Sequence, residues 1–157
     1  MENLIILRKN PDIIEAFITI KEVVPEKMFI ERESYWKKQF AEIKREFVEL
    51  FGPNLQEEDI KDLDAICNLR NAIAHSHISL GRDYFLYRPA RGEKQEMKIV
   101  RSLDIPPREN AADPMILKLS FHDDERYFKE FNRIKKLDEI CFKRIADLIK
   151  IPHSRVR

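Results

Sequence analysis

Three glycines in 157 residues leave few places where the backbone can reverse through a left-handed turn, and no run able to cradle a phosphate. A chain so poor in glycine is a weak candidate for an all-β fold closed by tight turns. It suits long helices, and the spacing of its apolar residues agrees. Ile13, Ile14, Phe17, Ile20 and Val24 recur at helical spacing over about 12–24, with Asp12 as N-cap and Pro25 as terminator. A long helix is predicted over 26–51, with Phe29, Trp36, Phe40, Ile43, Phe47 and Leu50 as its apolar stripe, stopped by Gly52-Pro53. The next, over about 55–76, has Asn54 as cap and Glu57, Glu58 and Asp59 in its first turn, where acidic charge favours the helix dipole.

The pattern changes after Gly81. Tyr84–Tyr87 and Met97–Val100 read as a hairpin about a charged turn containing Gly92, and Met115–Phe121 as a third strand. A last helix over 123–151 carries Phe128, Phe131, Ile134, Leu137, Ile140, Cys141, Ile145 and Leu148 on one side, with Asp123-Asp124 at its start. The expected fold class is mainly α: a bundle of about four helices in one domain, with a β-rich insertion over about 82–121 between the last two helices.

Composition narrows the function classes. Apolar content of 43% with 36% charged residues belongs to a globular chain, and a net charge of +1 means that any nucleic-acid contact must come from a local patch. Cys67 and Cys141 both fall in helical apolar patterns, so buried free thiols are expected rather than a disulfide or a zinc site. Leu4–Leu7 is too short for a signal-peptide core, and no apolar run approaches a membrane span; a cytoplasmic location is the expectation.

One run carries chemistry. Leu69-Arg70-Asn71-Ala72-Ile73-Ala74-His75-Ser76-His77 places a guanidinium, an amide and an imidazole within about two turns of one helix. Asn71 and His75 share a face, and the long Arg70 side chain can lean into the same groove. An arginine to bind a phosphate and a histidine to move a proton are what metal-free RNA cleavage requires.

Arg70-Asn71-x-x-x-His75 resembles the R-x(4–6)-H signature of HEPN domains (higher eukaryotes and prokaryotes nucleotide-binding), with the polar residue that commonly follows the arginine. The resemblance covers the helical core and leaves the β-rich insertion unexplained. It implies a metal-independent endoribonuclease needing no cofactor and working as a homodimer. In such an enzyme His75 would be general base or acid, Arg70 would bind the scissile phosphate, and Asn71 would hold His75 or the phosphate. It also implies a toxin or defence setting and an antitoxin protein as candidate partner. Paired toxins usually carry a tyrosine two residues after the histidine; here that residue is His77, an auxiliary proton-transfer candidate or a helix-terminal residue. The alternative is a non-catalytic interaction or nucleotide-binding module of the same fold.

Arg82, Arg88 and Arg91, with Lys94, Lys98 and Arg101, are interleaved with Tyr84, Phe85 and Tyr87, the composition of an RNA-contacting surface or of an ordinary solvated hairpin. His75, His77 and His122-Asp123 with Asp138 or Asp147 echo, more weakly, the ligand order of metal-dependent helical phosphohydrolases. Asp123-Asp124 is read more simply as the start of the last helix.

Overall fold

The computed structural model describes residues 1–19, 25–78, 81, 83–89, 92–106, 110 and 117–155. The chain is mainly helical, as its sequence predicts, and it divides into two compact units, 1–60 with 135–157 and 61–134. The divisions do not follow the expected insertion at 82–121, which falls within the second unit together with most of the motif helix.

The first unit is organised by a helix that apolar periodicity does not reveal. α1 (Glu2–Lys9) packs on α3 (Glu26–Trp36) and α4 (Phe40–Phe51). Leu4, Ile5, Ile6 and Leu7 are all buried, so α1 is apolar around its whole circumference over that turn. Pro11 then opens a short 3-10 turn whose N-cap is Asn10 rather than the expected Asp12, and α2 (Ile14–Thr19) follows. The predicted end of that helix, 20–24, lies outside the described residues.

The single helix predicted over 26–51 is two helices. α4 begins with a capping box: the Gln39 side chain accepts from the backbone of Glu42, whose carboxylate accepts the Gln39 N–H at 2.8 Å. Gln39 is extended (φ −70°, ψ 149°), so the helix axis restarts there. The buried residues are accordingly Met28 and Tyr35 on α3 and Phe47 and Phe51 on α4, while Phe29 and Trp36 from the predicted stripe are 48% and 61% exposed.

A polar network ties α1, α3 and α4 together. The Glu46 carboxylate accepts from Lys38 Nζ (2.8 Å), from the Tyr35 hydroxyl (2.7 Å) and from Lys9. Burial alone would raise its pKa, but the hydrogen bonds from Lys38, Lys9 and Tyr35 prevail and hold it at about 2, against an ordinary 4.5. A carboxyl whose pKa is depressed on folding contributes stability above its unfolded pKa, and that contribution disappears as pH falls through the folded value. Stability is therefore expected to fall between pH 4.5 and about 2. In Glu46→Gln this acid limb should shrink by about 2 kcal/mol, read from urea midpoints across that range. Equal acid limbs in the two proteins would remove Glu46 from the account.

α5 (Glu57–Ala74) starts later than Asn54, which ends a 3-10 turn over Gly52–Asn54. Its first turn is closed by Asp59, whose carboxylate accepts the Gln56 N–H at 2.7 Å and also pairs with Arg144.

In the second unit, β1 (His77–Ile78), β2 (Tyr84–Tyr87) and β3 (Leu117–Ser120) form an antiparallel sheet in the order β1-β2-β3, with His77 opposite Leu86 and Phe85 opposite Leu119. The predicted strands at 84–87 and 115–121 are present in this form, although 115 and 116 lie outside the described residues. Met97–Val100 is not a strand. It belongs to α6 (Gly92–Leu103), whose buried face is Glu96, Ile99, Val100 and Leu103 at three- and four-residue steps. Ala65, Leu69 and Ala72 of α5 join α6 and Leu119 in one core.

α7 (Asp124–Lys136) is capped by Asp123, whose carboxylate accepts the Arg126 N–H at 3.0 Å, as the sequence predicts. Arg126 donates to the Leu103 carbonyl and Arg133 to the Ser102 carbonyl (3.1 Å), so α7 supplies cations to the C-terminus of α6. The predicted last helix is interrupted by a π-helical stretch over Leu137–Phe142 before α8 (Lys143–Leu148). Its apolar side divides: Leu137, Cys141 and Ile145 are buried, whereas Phe128, Phe131, Ile134, Ile140 and Leu148 are exposed.

Candidate functional site

Arg70, Asn71 and His75 all lie on the last turns of α5 and its closing turn. This segment is helical because Leu69 and Ala72 are drawn into the core beneath α6, leaving Arg70, Ile73, Ala74 and His75 exposed. The helix ends just beyond Ala74. Ser76 turns back to bond the Ala72 carbonyl through its hydroxyl and the Ile73 carbonyl through its N–H at 3.3 Å, and the chain enters β1. His75 is the last residue held in helical register, its N–H donating to the Asn71 carbonyl at 3.1 Å.

Arg70 Nη1 donates to Asn71 Oδ1 at 3.3 Å, and Asn71 Nδ2 lies 3.8 Å from Cys67 Sγ. Asn71 therefore braces Arg70, where the sequence left His75 or a phosphate as its object. Arg70 and His75 are exposed, and among the described residues neither the guanidinium nor the imidazole enters an ion pair; the guanidinium's described hydrogen bond is the one to Asn71. Arg126 and Arg133 differ in being paired with carboxylates and bonded to carbonyls at the end of α6. Arg70 and His75 are about 7.5 Å apart along the helix axis.

His77 is exposed but not helical: it opens β1. This corrects its placement at the helix terminus. Arg88 is exposed just beyond β2, while Arg82 and Arg91 lie outside the described residues. Two residues of the metal reading are engaged elsewhere: His122 faces Asp83 at 3.7 Å, and Asp138 lies 3.1 Å from His153 Nε2. No three His, Cys, Asp or Glu residues gather as a metal-holding group among the described residues. Both cysteines are buried and neither is in a disulfide, and burial pushes the Cys141 thiol up to about 12, with Asp59 adding to the shift.

The sequence missed the arrangement of Lys94, Lys98 and Arg101, which are not on a hairpin but on one side of α6, where they line a trough with residues of α5. No described helix is long and apolar enough to cross a membrane. No family model, curated protein or solved structure matches the chain.

Proposed function

We propose that this chain is a HEPN-type endoribonuclease that cleaves RNA through Arg70, Asn71 and His75 by acid–base chemistry without a metal. The observation that supports this reading is the exposed Arg70–His75 pair at the end of a packed helix, neither in an ion pair among the described residues, with Asn71 accepting from the guanidinium. In the reaction, the His75 imidazole takes the proton of a ribose 2′-hydroxyl, and the 2′-oxygen attacks the adjacent phosphorus. The 5′-oxygen leaves with a proton, giving a 2′,3′-cyclic phosphate and a free 5′-hydroxyl. Arg70 neutralises charge on the non-bridging oxygens as the pentavalent transition state forms.

One imidazole cannot be base and acid in the same step. Pairing two copies across a two-fold axis would supply both, and Ile73, 41% exposed between Arg70 and His75, offers an apolar contact for that pairing. His77 is the within-chain candidate for the second role. The biological setting under this reading is a toxin or defence effector restrained by an antitoxin protein.

The test is RNA cleavage in excess EDTA by the wild type beside Arg70→Ala and His75→Ala, with sedimentation of each. Cleavage by the dimeric wild type alone supports the reading. Equal cleavage by all three places the activity elsewhere, and binding without cleavage by the wild type leaves a nucleotide-binding module.

A further inference from the structure

We propose that the trough between α5 and α6 is the track that holds the backbone of single-stranded RNA as it runs to His75, an inference that rests on the ribonuclease reading. The trough encloses about 960 Å³, and five of its seven charged lining residues are cationic. Their states differ. Arg133 is engaged by Asp62 (3.4 Å), by Glu130 (2.6 Å) and by the Ser102 carbonyl, so its charge is already neutralised. Lys94, Lys98 and Arg101 are exposed and enter no ion pair among the described residues.

Their spacing decides what they suit. At i, i+4 and i+7 they form one ridge along α6, about 10 Å long, with a cation at each turn. A single small anion would engage one or two of them, whereas a polyanionic strand engages all three. Such a groove, tracking a backbone electrostatically, is the usual means of holding single strands. Met97, 38% exposed on the same wall, adds apolar surface for a base.

The trough also points along α5 to the motif. Asp64 lines it, and Asp64, Asn71 and His75 stand at i, i+7 and i+11, within about 20° of one line down the helix and about 16 Å from end to end. Attack by a 2′-oxygen requires a backbone free to rotate, which an unpaired strand is and a paired A-form strand is not.

The test measures binding, by anisotropy of a labelled single-stranded RNA, in the His75→Ala full-length chain so that the probe survives. Adding Lys94→Glu, Lys98→Glu and Arg101→Glu should weaken affinity at least about tenfold and flatten the plot of log affinity against log salt by about 2, since each phosphate contact on a single strand contributes about 0.7. Should the charge reversal disturb folding, Lys98→Gln with Arg101→Gln removes two charges at exposed positions and should flatten the slope by about 1.4. Unchanged affinity and slope in folded variants would overturn the track whether or not the wild type cleaves. Loss of binding together with an inactive wild type would keep the track and refute the ribonuclease.

Discussion

His75→Ala is expected to lower RNA cleavage by about 10²- to 10⁴-fold, the usual worth of a positioned general acid or base, while leaving the folded protein as stable as the wild type. The second half of that expectation follows from exposure. The imidazole is outside the core and has no ion-pair partner among the described residues, and surface substitutions of that kind usually fall within about 0.5 kcal/mol. Activity and stability are thus separable at this position, which they are not at a buried histidine. Arg70→Lys should behave almost as badly as Arg70→Ala, because an ammonium keeps the charge but loses the planar fork that grips two phosphate oxygens. Single-turnover cleavage rates beside thermal melts measure both halves. A His75→Ala protein that melts early and cleaves normally would reverse the assignment, making the histidine structural.

The motif helix was legible in the sequence because all its signals agree: acidic residues in the first turn, a periodic apolar face, and polar residues breaking that face only near its end. Its co-facing Asn71 and His75 follow from helical spacing alone. What the imidazole would not touch did not follow. The exposed state of Arg70 and His75, and the use of Asn71 to brace Arg70, depend on which side of α5 the core claims.

Three elements depart from the sequence-based expectation, each for a different reason. α1 is buried on every side over Leu4–Leu7, and four consecutive apolar residues show no period to detect. α6 hides its period because a glutamate occupies one of its buried positions: Glu96 is 2% exposed, so the series Glu96, Ile99, Val100, Leu103 looks broken on an apolar scale. The break between α3 and α4 carries neither glycine nor proline; Gln39 and Glu42 make it by capping, a signal that is faint in isolation. The misreading of α6 had the larger consequence, since it scattered Lys94, Lys98 and Arg101 over a hairpin instead of aligning them on one ridge.

Phe47→Ala should be the most destabilising of the single substitutions considered, costing about 3–5 kcal/mol and lowering the melting temperature by about 10 °C or more. The Phe47 ring is fully buried, 5.0 Å from that of Phe51 and edge-on to Phe142 at 5.6 Å, so it joins α4 to the π-helical stretch of the same unit. Removing it leaves a cavity lined by two aromatic rings, and α4 cannot close it without disturbing the Glu46 network that fixes the helix to α1 and α3. Trp36 is the informative contrast. It belongs to the same predicted stripe and is the larger ring, yet it is 61% exposed and its described aromatic contact is an edge-to-face one with Phe29 at 5.7 Å. Trp36→Ala should cost less than about 1.5 kcal/mol, roughly the worth of one such aromatic pair. Urea midpoints at constant m-value compare the two directly. If the tryptophan proved as costly as the phenylalanine, the continuous helix over 26–51 with a single buried face would describe the chain better than two helices whose phase is reset at Gln39.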